Sequence, residues 1–315
     1  MQVIRDLTEA QLTEATVLTI GTFDGVHRGH QDLINNLKAA ASERQAQTAV
    51  IAFHPRPKTV FAPHLYGNDY LTTPDERIRL LEAYGVDNLV LMPFSKELSQ
   101  ISALDFVKLV VESLCVVELC VGYDFALGKN REGNVEKLKA LGQQFNYDVT
   151  IVEPFLLGSQ VVSSTQVRQE LVSGNVRRAA YLLGRYPSLT TEVVEGARRG
   201  RTIGFPTANL AVPPERLIPA NGVYATFIQH QGQPHRYPSV TNVGVRPSFG
   251  GVERTVETHI FDFNENIYGQ TFTLEFVERL RPEQKFDGID ALVAQIAKDA
   301  EQARALLAKE VLSAV

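Results

Sequence analysis

The stretch GTFDGVHRGH, residues 21–30, holds two imidazoles, one carboxylate and three glycines in ten positions. It follows the apolar run Val17–Ile20 and precedes a helical pattern, so it reads as a turn from a strand into a helix. Gly21 and Gly25 would let backbone amides approach a phosphate, and the helix N-terminus beyond them favours an anion. With a helix starting near residue 27, His27 and His30 lie side by side on one face. Two donors aimed at one point can stabilise charge building on a phosphorus centre in transfer. A purely structural turn would carry the same glycines. A zinc pair fits less well, because the helical zinc motif spaces its histidines by four.

Three further stretches carry candidate chemistry. SSTQVRQELVSGN, residues 163–175, opens a helix in which Ser163 with Gln166 fits a capping box and Gly174 a stop. Arg168 falls in its first turn, where a cation opposes the helix dipole unless a polyphosphate binds there. In GARRGRTIGFPTANL, residues 196–210, Gly196, Gly200 and Gly204 recur every four residues among Arg198, Arg199 and Arg201. That is a flexible basic loop suited to a polyphosphate, or simply a basic hairpin. Pro206 stiffens the entry to Thr207 and Asn209, whose hydroxyl and amide oxygens are hard, neutral ligands of the kind magnesium takes beside phosphates and water. In RTVETHIFDF, residues 254–263, Glu257 shares a strand face with Thr255 and His259. It is either a solvated carboxylate or, beside a nucleotide and an alcohol, a general base. His259 reads as structural.

The elements needed to hold these residues alternate in the first half. Strands at VLTI, TAVIAF, NLVLMPF, ELCVGYD and DVTIVEPF are interleaved with helices, among them QDLINNLKAAASERQ, TPDERIRLLEAYG and DFVKLVVESL. Such alternation implies an α/β domain with a parallel sheet covered on both faces. Ligands of such sheets bind at the C-terminal strand ends, where GTFDGVHRGH lies. After Gly184 and Pro187 the strands TTEVVEG, GVYATFIQH, YPSVTNVG, RTVETHIFDF and TFTLEFVERL follow one another, the spacing of a small antiparallel β-barrel. A final helix shows one apolar face, Ile289, Leu292, Val293, Ile296 and Ala300, expected to pack on the barrel. The expected domains are 1–185 and 186–315.

Bulk properties narrow the classes. A chain of 315 residues with net charge −5 lacks the basic excess of a general nucleic-acid binder. No apolar run reaches the roughly 18 residues of a membrane span, and no N-terminal apolar signal segment is seen, so a cytoplasmic protein is expected. Cys115 and Cys120 lack zinc spacing and read as reduced core residues.

The first half resembles the nucleotidyltransferase module of bifunctional riboflavin kinase/FAD synthetases through GTFDGVHRGH, LTTPDERIRLLEAYGV (71–86), LMPFSKEL (91–98), VGYDFALGKNREG (121–133) and SSTQVR (163–168). The resemblance implies that His27 and His30 contact the ATP α-phosphate, with Gly21, Phe23, Asp24 and Gly25 around the nucleotide. Ser163, Ser164, Thr165 and Arg168 would hold the outgoing phosphates, and Asp124 and Phe125 would lie near flavin and nucleotide. The family commonly carries asparagine where Thr22 stands and histidine where Arg56 stands; an arginine there is a good phosphate ligand in principle. The second half resembles the riboflavin kinase module through GRTIGFPTANL (200–210), NGVYA (221–225), TNVGVRPSF (241–249) and VETHIFDF (256–263). That implies ATP binding by Gly196, Gly200, Arg201, Gly204, Pro206, Thr207 and Asn209, magnesium at Thr207 and Asn209, and Glu257 as base for riboflavin. The expected activities are phosphorylation of riboflavin to FMN and adenylylation of FMN to FAD, with ATP and magnesium and without nucleic acid or membrane. The alternatives are one active module only, or an adenylyltransferase for another phosphorylated substrate.

Overall fold

The computed structural model describes residues 1–313 except 8, 9, 11, 68, 197, 198, 249 and 250. The chain divides into two compact units, Met1–Ser164 and Thr165–Val315.

The first unit runs β1 (Gln2–Ile4), β2 (Thr16–Gly21), α1 (Arg28–Glu43), β3 (Gln47–Phe53), α2 (Pro57–Phe61), α3 (Pro63–Tyr66), α4 (Pro74–Ala83), β4 (Asn88–Met92), α5 (Ala103–Leu114), β5 (Val116–Gly122), β6 (Ala126–Leu127), β7 (Gly133–Asn134), α6 (Val135–Phe145), β8 (Asp148–Val152), β9 (Leu156–Leu157) and β10 (Gln160–Val161). Six strands form one sheet in the order β1-β4-β3-β2-β5-β8, every pairing parallel. Side-chain alternation loads both faces. Leu18, Ile51 and Val90 pack with Phe106, Val110 and Leu138 from α5 and α6. Val17, Val50 and Leu89 pack with Ile34 and Leu37 of α1 and Leu81 of α4. The α4 start is the expected one: Pro74 opens the helix, and Thr73 and Glu76 exchange the two bonds of a capping box, an arrangement whose cap is worth about 1 kcal/mol. Beyond the expected strands the sheet gains β1, a three-residue edge strand against β4.

The order β3-β2-β5 marks the switch point. From β2 the chain winds outward through β3 and β4, then crosses back to set β5 on the other side of β2. The loops leaving β2 and β5 therefore splay apart and open a crevice at their C-terminal ends.

In the second unit come α7 (Ser164–Ser173), α8 (Val176–Leu183), β11 (Ser188–Val194), α9 (Arg199–Thr202), β12 (Ala208–Leu210), β13 (Gly222–His230), β14 (Arg236–Ser248), β15 (Gly251–Ile260), β16 (Thr271–Arg281) and α10 (Ile289–Ser313). Six strands close an antiparallel barrel in the order β11-β12-β15-β14-β13-β16. The sixth, β12, begins within the P-T-A-N stretch (206–209) that reads from sequence as a loop. It pairs with β11 on one side and β15 on the other and so completes the barrel. Val223, Ala225, Phe227, Val240 and Val277 pack against Ala300, Ala303 and Leu307 of α10. Ile289, expected on the buried face of that helix, is exposed. The helices α7 and α8 pack with the barrel: Ala220 N–H donates to the Leu171 carbonyl at 2.9 Å, and Arg177 of α8 meets Glu278 of β16 and Glu310 of α10 at 2.6 Å each.

Candidate functional site

In the first unit the β2–α1 turn lies at the switch-point crevice. Its backbone is sharply folded: Phe23, Gly25 and Val26 have φ of 47°, 86° and 38°. His27 is the N-cap of α1, and its Nδ1 accepts the His30 backbone N–H at 3.3 Å. A ring nitrogen that accepts carries no proton, so in the neutral ring Nε2 is the donor. The two imidazoles are stacked, centroids 3.7 Å apart and planes 17° from parallel. Gly29 leaves the stack room. A Cβ there would lie 3.2 Å from both the His27 ring and the Val162 carbonyl. The Phe23 ring is wholly buried, 5.0 Å from the His30 ring centroid, and braces it.

Not every expected contact in this loop faces a ligand. The Gly25 N–H donates to Thr72 Oγ1 at 3.1 Å and so is not presented to a phosphate. Its glycine is needed for the positive φ and because a Cβ would lie 2.8 Å from Leu71. Asp24 is fully buried and accepts from Leu71 N–H, Thr72 N–H and Arg56. Arg56 is turned inward, 6% exposed, with Asp24 on one terminal nitrogen and Asp69 and the Tyr66 carbonyl on the other. Asp24 and Arg56 thus hold the loop from behind, where the family resemblance implied a place for Asp24 near the nucleotide and for Arg56 near the flavin. Gly21 sits at the end of β2 beside the Phe23 ring. Across the switch point, Asp124 is exposed in the loop after β5, and Phe125 is half-buried, its N–H bonded to the Gly122 carbonyl at 3.1 Å. Ser163 is half-buried, and the Ser164 hydroxyl donates to the Asp24 carbonyl at 2.9 Å. Thr165 and Arg168 belong to α7 in the second unit, Thr165 exposed and Arg168 half-buried.

In the barrel unit, register assembles the second site. Asn209 on β12 stands directly opposite Glu257 on β15, and Asn242 on β14 stands opposite the same Glu257 from the other side. Directly opposed residues point to one face, so the carboxylate lies between two amides. Thr207 precedes β12. The His259 Nδ1 donates to the Pro206 carbonyl at 2.8 Å, fixing the entry to that strand. Gly200 lies against the Phe205 carbonyl, leaving no room for a side chain, and a Cβ on Gly196 would displace the Asn209 amide. Gly204 turns with φ 86°. Arg198 lies outside the described residues, as does the Arg199 side chain.

Two cavities meet at Thr207. One, of about 340 Å³, is lined by Thr207, Asn242, Glu257 and His259 on the barrel and by apolar Leu292 and Ile296 of α10. The other, about 720 Å³, is lined by Arg201, Pro206 and Thr207 and by the more polar loop Asn264–Asn266. Sequence reading missed Asn242 as a site residue and missed Arg281 and Asp299, a bidentate ion pair on the wall of the first cavity. Asn242 was visible in the quoted TNVG motif, but only strand register sets it beside Glu257.

Comparisons with known proteins divide the chain in the same two parts. The family described as FAD synthetase matches residues 9–166, and the riboflavin kinase family matches residues 183–307. The bifunctional riboflavin kinase/FMN adenylyltransferase of Escherichia coli (strain K12) is 38% identical over 303 residues, covering 96% of this chain and 95% of that protein. Its counterpart in Listeria monocytogenes is 36% identical over 295 residues, with 93% of each chain covered. That of Bacillus subtilis is 33% identical over 291 residues, with 91% of each covered. Among solved structures, one named as a macrolide-efflux protein from Streptococcus pneumoniae superposes with a TM-score of 0.87 at 34% identity, over 96% of this chain and 98% of its own. Among the described residues here, no helix is long and apolar enough to cross a membrane.

Proposed function

Because the chain belongs to the bifunctional riboflavin kinase/FMN adenylyltransferase family, we propose that His27 and His30 serve one of its two phosphate transfers and Thr207, Asn209 and Glu257 the other. The protein phosphorylates riboflavin with ATP to FMN, then adenylylates FMN with a second ATP to FAD and pyrophosphate. We assign the first reaction to residues 186–315 and the second to residues 1–185.

In riboflavin phosphorylation the 5′-hydroxyl oxygen forms a bond to the γ-phosphorus, and the bond from that phosphorus to the bridging β–γ oxygen breaks, releasing ADP. Glu257 takes the hydroxyl proton. The observation that carries this reading is the register that sets one carboxylate between Asn209 and Asn242, on the wall of a cavity that shares Thr207 with a second one. The cavity with Leu292 and Ile296 suits the isoalloxazine ring; the one with Arg201 and the 264–266 loop suits ATP. A divalent metal serves these reactions, and we name magnesium, with the Thr207 hydroxyl and Asn209 amide oxygen as its protein ligands. Those two oxygens are hard and uncharged, which fits a cation whose charge is met chiefly by ATP phosphates. Bound there, it would neutralise phosphate charge.

In adenylyl transfer an FMN phosphate oxygen bonds to the ATP α-phosphorus and pyrophosphate leaves. No general base is required, since the attacking phosphate is already ionised. His27 through Nε2 and His30 beside it would donate to the α-phosphate as charge accumulates. Ser163 and Ser164 flank the crevice on the chain that returns to this loop. ATP as donor and two free cysteines support a cytoplasmic setting.

The test separates the two sites within one chain. His30→Ala is expected to reduce FAD synthesis from FMN by about 100-fold or more while FMN production continues. Glu257→Ala should do the reverse, abolishing FMN production from riboflavin but sparing FAD synthesis from supplied FMN. Loss of both activities in either folded variant would overturn the assignment of separate sites.

A further inference from the structure

Beneath the histidine loop lies a cluster of four charges that the reaction itself does not use. Asp24 Oδ1 accepts the N–H groups of Leu71 and Thr72 at 3.0 Å each and the Thr72 hydroxyl at 3.2 Å; Oδ2 accepts Arg56 Nη1 at 3.1 Å. Arg56 Nη2 bonds Asp69 and, at 2.8 Å, the Tyr66 carbonyl. The guanidinium lies 4.0 Å from the Tyr70 ring centroid. Arg77, fully buried, donates to the Phe53 carbonyl at 3.1 Å and brings Nη2 within 4.0 Å of Asp24. Burial disfavours charge on Arg56, but Asp24 and Asp69 outweigh it and hold its pKa above the ordinary arginine value. For Arg77 burial wins over Asp24, and its pKa is lowered.

This arrangement does not suit a phosphate ligand. Both terminal nitrogens of Arg56 already face a carboxylate, and the side chain is 6% exposed. It does suit a clamp. Asp24 immediately precedes Gly25, whose N–H bonds the same Thr72 that bonds Asp24. Two residues further on is His27, the cap of α1. If Arg56 lost its charge, fully buried Asp24 would lose the cation that bonds its Oδ2, while Arg77 stands farther off at 4.0 Å.

We propose that Arg56 is a positioning residue for adenylyl transfer: it neutralises buried Asp24 and so sets the backbone that aims His27 and His30, without touching the phosphate of FMN. The proposal rests on the assignment of those histidines to adenylyl transfer.

The test compares Arg56→Gln, Asp24→Asn, the double variant, Arg56→Lys and His30→Ala in the full-length chain, measuring FAD synthesis at varied FMN with riboflavin phosphorylation as internal control. The asparagine in Asp24→Asn keeps an acceptor for Leu71 and Thr72. Its amide can also donate to the glutamine of Arg56→Gln, so the double variant removes both charges while keeping the contact. Arg56→Gln is expected to lower kcat for FAD synthesis about 10-fold or more with KM for FMN nearly unchanged. The double variant should recover a large part of that loss, Arg56→Lys should fall between wild type and Arg56→Gln, and riboflavin phosphorylation should not move. A raised KM for FMN at constant kcat, in Arg56→Gln or Arg56→Lys, would show a phosphate ligand and overturn the proposal. So would a double variant no faster than Arg56→Gln. His30→Ala retaining FAD synthesis would instead remove the histidine assignment, whatever the Arg56 variants do.

Discussion

At residue 29 the helix forgoes a better helix former. Alanine is favoured over glycine in a helix by up to about 1 kcal/mol, yet a Cβ there would stand 3.2 Å from the His27 ring. Gly29→Ala is therefore expected to leave thermal unfolding nearly unchanged while lowering FAD synthesis by about 10-fold or more, because the ring must move. A variant with full FAD synthesis would show that the stacked geometry is not needed. At this scale the pairing of the two imidazoles was legible. A spacing of three on a helix brings side chains together without help from the rest of the fold, which is why His27 and His30 could be paired from sequence. Asp24 and Arg56 could not be oriented that way, since their partners at Leu71, Thr72 and Asp69 are brought in by tertiary packing. Cys120 was readable as a reduced core residue from its apolar segment, and burial pushes its thiol up to about 12; Cys115, read the same way, is only half-buried.

Among the elements, β12 and α10 do most to shape the proposed kinase site. A three-residue strand shows no period, so neither β1 nor β12 could be read from alternation, and β12 appears only when β11 and β15 offer edges to pair with. The helix α6 was missed as well, although it buries Leu138, Leu141 and Gly142 along one face. The long terminal helix was legible, but its first turns line a cavity, leaving Ile289 exposed. What holds that wall is the pair Arg281–Asp299, with Asp299 accepting from Nε and Nη2 at 2.8–3.0 Å and from Gln295 at 2.9 Å. Asp299→Asn leaves a half-buried guanidinium without its counter-ion, a loss on the order of 3 kcal/mol. It is expected to lower the thermal stability of the barrel unit and to raise KM for riboflavin more than it lowers kcat. FAD synthesis from supplied FMN should be spared. An unchanged KM for riboflavin would mean that this wall does not contact the substrate.

Over the whole molecule, the sequence pattern changes character once, after Gly184, from alternating strand and helix to successive strands, but the two compact units divide earlier, between 164 and 165, because α7 and α8 pack with the barrel. Each unit builds a candidate site from its own strands, one at the switch point between β2 and β5, the other where β12 meets β15. The product of one site has the chemistry the other consumes: the phosphate added to riboflavin becomes the nucleophile toward a second ATP. The two transfers break ATP at different bonds, and that difference is directly measurable. Riboflavin, magnesium and the intact protein are incubated with ATP labelled either at the α- or at the γ-phosphorus, and the flavins are separated and counted. The account predicts γ-label in both FMN and FAD, and α-label in FAD alone. FMN carrying α-label, or FAD carrying γ-label but no α-label, would contradict it.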